Sequence, residues 1–257
     1  MIYHIHNLES ERFKSGVTAT IGSFDGVHIA HKQIIKKLIE RSRQNNTQSA
    51  VITFSPHPRV VLEGENCTLK LLSSLQEKSI QLEKLGVENL IVLPFTEALR
   101  SLTAKEFTEQ ILIDKLNVKS MFVGYNNKIG CDRASSFHFL STQTQIEVEL
   151  IEKISTTDNK INSTLIRNLI SSGEIEDANK ILGHNYNIIC KIDAHSKAII
   201  EDKNKLLPPE GRYSGYFEQI EVEMSVTEDN FLIINKILGD CINYSNHYKI
   251  EFTKKLH

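Results

Sequence analysis

The first two thirds of the chain alternate short apolar runs with longer stretches in which apolar residues recur every three or four positions. Residues 17–21 (VTATI) read as a buried strand. Residues 29–43 place Ile34, Ile35, Leu38 and Ile39 on one face with basic residues between them, an amphipathic helix. AVITF at 50–54 reads as a second buried strand. It runs into SPHPR, where two prolines are expected to forbid helix and force an extended loop. A helix over 75–85, closed by Gly86, precedes a strand over 89–93. A helix over 103–116, opened by Thr103 and Glu106 at capping-box spacing, precedes a strand over 120–123. Residues 147–151 supply one more strand. Strands alternating with helices predict an α/β fold, a parallel sheet with helices on both faces.

Helices are expected from Ser163 and over 175–182, the second closed by Gly183. After Tyr186 the pattern changes. Stretches 188–200, 212–224 and 230–253 are rich in Ile, Val, Tyr and Phe, with Pro208, Pro209 and Gly211 as turn signals. They predict a small antiparallel β region. The expected domains are therefore 1–186 and 187–257.

Composition narrows the partners. The chain has 257 residues, 40% hydrophobic and 24% charged, ordinary for a protein that buries a core. Formal charge is −2 and no long basic block occurs, so bulk charge gives no support for nucleic acid as a partner. The first residues lack the apolar run of a signal peptide, and no apolar stretch of about 20 residues exists to span a membrane. Cys67, Cys131, Cys190 and Cys241 form no CxxC pair and read as free thiols, which predicts a cytoplasmic protein without a zinc site. Nothing in the sequence argues for an oligomer.

Chemistry concentrates where expected strands end. Thr20 to His31, TIGSFDGVHIAH, carries Gly22 and Gly26 in a turn between strand and helix, where backbone N–H groups approach a phosphate closely. The turn is expected to enter a helix that carries His28 and His31, three apart on its first turn and so on one face. SPHPR and GYNNKIG follow two further strands, and open α/β sheets bind ligands outside such ends. INSTLIRNLI puts Ser163, Thr164 and Arg167 at a helix start, an anion cradle or an ordinary serine cap with a surface arginine.

These residues resemble a known family. FDGVHIAH resembles the HxGH signature of nucleotidyltransferases, in the FDGVHxGH form of prokaryotic bifunctional riboflavin kinase/FAD synthetases. TFSPHPR resembles that family's TFxPHP loop, FVGYNNKIG its FVGxxFxFG segment, and STLIR its STxIR motif. LGHNY resembles the LGRPY that ends the adenylyltransferase domain. The resemblance covers roughly residues 17–186. It implies a Rossmann-like nucleotidyltransferase domain followed by a small β domain similar to a shortened riboflavin kinase barrel. It also implies an FMN adenylyltransferase that makes FAD and pyrophosphate from ATP and FMN with Mg²⁺. Gly22, Ser23, Phe24, Asp25 and Gly26 would form the ATP loop, with His28 and His31 at the phosphates. Ser163, Thr164 and Arg167 would hold the outer phosphates. Phe54, Pro56, His57 and Pro58 would line the flavin side, and Asn126 would stand between the substrates. No side chain is assigned as a metal ligand.

The chain departs from the family at defined positions. Ala30 replaces the glycine of HxGH, and Asn127 and Ile129 replace two phenylalanines. No GxPTxN kinase motif follows residue 186, although LLPPEGRYSGYF resembles the barrel's LPPxGxY turn. Riboflavin kinase activity is therefore not expected. Two other readings accompany adenylyl transfer to FMN: a different phosphate acceptor, or a paralogue that binds nucleotide or flavin without turnover.

Overall fold

The computed structural model describes residues 2–4, 13–124, 128–132, 134–151, 161–193, 195–235 and 246–256. Packing divides the chain into two compact units. The first comprises Met1–Phe24, Ala30–Thr68 and Ser79–Thr157; the second comprises Asp25–Ile29, Leu69–Lys78 and Asp158–His257.

In the first unit a six-stranded sheet is ordered β1-β4-β3-β2-β5-β8. Its strands are β1 (Ile2–His4), β2 (Val17–Ile21), β3 (Gln48–Ser55), β4 (Asn89–Pro94), β5 (Val118–Gly124) and β8 (Glu147–Ile151). Every pairing is parallel. The central strands are apolar along their whole length because both faces are covered: β2 is buried at every residue, and Ala50, Ile52, Ile91 and Leu93 have no exposed surface. β3 and β4 extend the sheet on one side of β2, and β5 and β8 extend it on the other. The carboxyl end of β2 is thus the topological switch point, where such sheets bind ligands.

Helices α1 (Ile29–Gln44) and α3 (Leu75–Lys84) fall where the apolar spacing put them. The capping box is present: Glu106 N donates to Thr103 Oγ1 at 3.2 Å and Thr103 N to Glu106 Oε2 at 2.8 Å. The helix expected over 103–116 keeps α geometry only through α5 (Ala104–Phe107) and widens to π turns over Thr108–Ile113. Asp114 N and Leu116 N each reach a carbonyl five residues back, and the wider turns hold Thr108, Ile111 and Leu112 on the buried side. Shorter elements escaped the periodicity: β1, α2 (Pro58–Glu63), α4 (Glu97–Arg100), the β6 (Lys128–Ile129) and β7 (Ala134–Ser135) ribbon, and α6 (Ser136–Gln143).

The second unit holds a six-stranded antiparallel sheet ordered β10-β9-β14-β11-β12-β13. The strands are β9 (Tyr186–Ile192), β10 (Ala198–Ile199), β11 (Gly211–Phe217), β12 (Ile220–Val226), β13 (Leu232–Ile234) and β14 (Tyr248–Leu256). A bridge between Lys197 and Ile233 joins its two ends and nearly closes a barrel. Tyr186, Ile188, Tyr213, Met224 and Phe252 fill the core together with Ile166 and Ile170 of α7 (Ser163–Ser172) and Ile175 and Leu182 of α8 (Ile175–Leu182). The buried tyrosine hydroxyls are satisfied, Tyr186 donating to Leu206 O and Tyr213 to Pro209 O, each at 2.6 Å. Burial pushes the Cys190 thiol up to about 12.

Candidate functional site

In the first unit, the loop after β2 is held from β3. Gly22 N donates to Ile52 O at 3.0 Å, and Thr53 Oγ1 reaches Ser23 O at 3.4 Å. Phe24 is buried, with φ of 46°, and its ring lies 4.8 Å from that of His31 in the first turn of α1. Phe24 therefore packs beneath a candidate phosphate ligand. His28 is also buried, but it stands one residue before α1 begins. This corrects the expectation of a helix carrying both histidines: Val27 has φ of 40°, outside helical geometry, so the helix begins after it.

The SPHPR expectation is corrected as well. Pro58 opens α2 instead of forbidding a helix, because a helix's first position needs no N–H and suits proline's fixed φ. His57 caps that helix, its Nδ1 accepting from Arg59 N at 3.2 Å. Phe54 and Pro58 line a cavity of about 390 Å³ that also takes in Gly22, Phe95, Phe107 and Ile129. Pro56 and His57 are not among its lining residues. Phe54 and Phe95 meet edge to face at 5.6 Å. Phe95 and Phe107 are aromatic walls that motif reading did not single out; Phe95 directly follows β4, a strand-end position that could have flagged it. Arg100 and Lys128 add positive charge to the lining. Gly130 closes one side at φ of 73°, and a Cβ there would overlap Ala104 N and Asp132 Oδ1. Asn126 lies outside the described residues.

In the second unit, Asp25 is the hub. Its carboxylate accepts from Leu72 N at 3.1 Å and from Ser73 N at 3.0 Å. Arg167 Nη2 lies 2.7 Å from Asp25 Oδ2, and Arg167 Nε donates to Lys70 O at 2.8 Å. Ser163 Oγ donates to Asp25 O at 3.0 Å. Asp25, Ser163 and Arg167, distant in sequence, thus meet in one network. Asp25 ties its own turn to Leu72 and Ser73 and to α7. The cap of α7 is Asn162, whose side chain accepts from Leu165 N at 2.9 Å, so Ser163 is released from the capping role the sequence allowed it. Thr164 is exposed on the first turn.

Gly26 has φ of 82°, and a Cβ there would press on Leu72 and Leu182. Its N–H donates to Ser73 Oγ at 3.0 Å, and its carbonyl faces His184 Nε2 at 3.1 Å. His184, given no role from sequence, anchors this turn. Lys78 is buried nearby; burial lowers its ammonium pKa, opposed by the charges of Asp25 and Asp202. No group of three or more His, Cys, Asp or Glu among the described residues could hold a metal ion, and no described helix is long and apolar enough to cross a membrane.

A parallel α/β sheet with a glycine turn and histidines at its switch point, joined to an antiparallel barrel, defines the class. The FAD synthetase family model matches residues 10–165, and the chain belongs to the FAD synthetase family. A bifunctional riboflavin kinase/FMN adenylyltransferase of Pseudomonas fluorescens is 33% identical over 195 residues, 75% of this chain and 61% of that protein. A second bifunctional relative, from Listeria monocytogenes, is 34% identical over 168 residues, 65% of this chain and 53% of its own length. The chain thus spans less than two thirds of these relatives. An FAD synthetase of Listeria monocytogenes is 32% identical over 197 residues, 76% of this chain and 78% of that one. In fold, the chain is similar to a crystal structure of a macrolide-efflux protein from Streptococcus pneumoniae, with a TM-score of 0.82 over 100% of this chain and 91% of that chain at 22% identity.

Proposed function

We propose that the protein is an FMN adenylyltransferase that forms FAD and pyrophosphate from ATP and FMN, without riboflavin kinase activity. The observation that carries this reading is the loop at the carboxyl end of β2: a glycine turn leading through buried His28 into α1, in a chain that belongs to the FAD synthetase family. Residues 1–186 are read as the adenylyltransferase-like domain and 187–257 as a reduced kinase-like barrel. The free thiols of Cys67, Cys131 and Cys190 fit a cytoplasmic setting.

In this mechanism the FMN phosphate, already an anion, attacks the α-phosphate in line, and pyrophosphate leaves. Catalysis is then positioning and charge stabilisation, with no strong general base required. Gly22 and Gly26 shape the turn with their own amides bonded to Ile52 O and Ser73 Oγ, the residues between them supply the backbone donors, and the first amides of α1 add the positive end of a helix dipole. His28 and His31 stabilise charge at the α-phosphate. Ser163 through its backbone N–H, its hydroxyl being given to Asp25 O, holds the outer phosphates with Thr164 and Arg167, and Arg167 enters that role already oriented by Asp25 and by Lys70 O. Phe54 and Pro58, with Phe95 and Phe107, suit the apolar flavin ring, while Arg100 and Lys128 suit its phosphate. Pro56 and His57 shape the neighbouring loop. A Mg²⁺ would arrive on ATP, because this ion keeps few protein ligands and several phosphate oxygens. When bound, it neutralises phosphate charge.

Incubating the purified protein with ATP, FMN and Mg²⁺ and resolving the products by HPLC tests the reading. FAD and pyrophosphate in equal amounts are expected, and riboflavin should stay unphosphorylated. Pyrophosphate released with another phosphomonoester but not with FMN would instead favour a different acceptor, the reading that Ile129 in the cavity wall supports. Gly130→Ala should raise the KM for FMN about tenfold and leave the KM for ATP within about twofold, because the added methyl displaces the loop that closes the cavity. Steady-state kinetics with each substrate varied checks this.

A further inference from the structure

Lys205 and Glu77 form an ion pair in the second unit, Nζ to Oε2 at 2.6 Å, with side chains only 1% and 2% exposed. Each partner spends its remaining capacity on backbone. Lys205 Nζ also donates to Leu72 O at 2.6 Å and to Asn187 O at 2.7 Å, so three ammonium protons meet three acceptors. Glu77 accepts from Ser74 N at 2.8 Å and from Ile189 N at 2.7 Å. The pair therefore ties residues 72–74 to strand β9. Two backbone hydrogen bonds fasten the neighbouring Leu71 to the residues flanking Lys205: Leu71 N to Asn204 O at 2.6 Å and Leu206 N to Leu71 O at 2.9 Å.

The tied stretch is the one that holds Asp25. Leu72 N and Ser73 N donate to its carboxylate, and the carboxylate holds Arg167. A buried ion pair is a poor source of net stability compared with apolar residues of the same volume. What this one supplies is a fixed register between β9 and the backbone that grips Asp25. We propose that Lys205 and Glu77 are positioning residues for the nucleotide loop. They hold the Leu72 and Ser73 amides as a socket for Asp25, which sets Arg167 for the outer phosphates. The β barrel then has a task without kinase chemistry: it carries the socket. The geometry stands by itself, while the kinetic consequence rests on the adenylyl-transfer reading.

The test is the double variant Lys205→Met with Glu77→Gln. It removes both charges, so no lone charge is left buried, and it also removes the ammonium's three hydrogen bonds. It should fold and melt below wild type, because Leu72 O and Asn187 O lose their donor. Its KM for ATP should rise about tenfold, with kcat and the KM for FMN within about twofold. Amide hydrogen exchange in the ligand-free protein should quicken about tenfold over 24–29 and 69–78. A merely structural role would lower the melting temperature and the active fraction and leave the ATP KM alone. A folded double variant whose exchange in those stretches matches wild type overturns the proposal whatever its kinetics. If the double variant does not fold, Lys205→Gln with Glu77→Gln carries the same comparison, because it also buries no lone charge and keeps a side-chain donor near Leu72 O and Asn187 O, with shifts of about threefold expected; unchanged exchange there also overturns it. If the wild type makes no FAD, the adenylyl-transfer reading falls, and the exchange comparison still decides whether the socket exists.

Discussion

His28→Asn lowers the rate of FAD formation from ATP and FMN by about two to three orders of magnitude, the usual effect of deleting one preorganised donor to developing charge. His28 is buried at the start of α1, beside a turn whose backbone is already committed by Gly26 and Val27. A donor there needs no reorganisation as charge builds on the phosphate. The loss should fall in kcat, since a transition-state interaction is removed, and the KM for ATP should change little. Initial rates followed by HPLC, alongside circular dichroism to verify folding, check it. A variant that turns over at the wild-type rate would reassign His28 to packing. His31→Ala should cost less, because part of that ring's surface is spent against Phe24.

Asp25→Asn destabilises the protein by about 3 kcal/mol or more, the range for removing one partner of a buried ion pair. The carboxylate accepts from Leu72 N, Ser73 N and Arg167 Nη2, with Ser73 Oγ at 3.3 Å as a fourth donor. An amide has one oxygen to offer, and its NH₂ group would face donors. The asparagine variant therefore leaves buried N–H groups unmet and Arg167 without its counter-charge. A fall in melting temperature of about 10 °C is expected for a chain of this size, with a raised KM for ATP in whatever fraction stays folded. Arg167→Lys should separate the two effects. It keeps the charge but loses the planar fork that bonds Asp25 and Lys70 O together, so ATP binding should suffer more than stability. Thermal melts and ATP titrations on both variants decide this. Equal melting temperatures for wild type and Asp25→Asn would remove the network from any structural role.

Much of the fold was legible because local signals agree with the tertiary answer. β2 is a β-branched apolar run buried on both faces. α8 spans the expected 175–182 with Gly183 beyond it in the left-handed region, as a helix-ending glycine should be. The Thr103–Glu106 box forms as its spacing dictates. Elements carried by too few residues were not legible. β1 has three residues, and α2 begins on the proline that argued against it. The turn from α to π geometry after Phe107 leaves no mark on apolar spacing.

The site divides the same way. Its candidate residues could be picked out along the chain: glycines in a βα turn, paired histidines, hydroxyls and an arginine at a helix start, and a proline-bounded loop after the second strand. These depend on residue type and short-range spacing, which a sequence states directly. What the tertiary structure alone decided is who holds whom. Asp25 meets Arg167 across 142 positions of chain, and Lys205 meets Glu77 across 128. Phe95 and Phe107 enter the cavity wall by packing. The physical reason is that hydrogen bonds and ion pairs act over a few ångströms of space, whereas sequence patterns report only separations of a few residues. The sequence by itself determined a glycine-bearing loop with two histidines at the end of its first long strand. Only the folded chain decided that the loop's aspartate is clamped by backbone amides which a buried lysine–glutamate pair holds on the barrel.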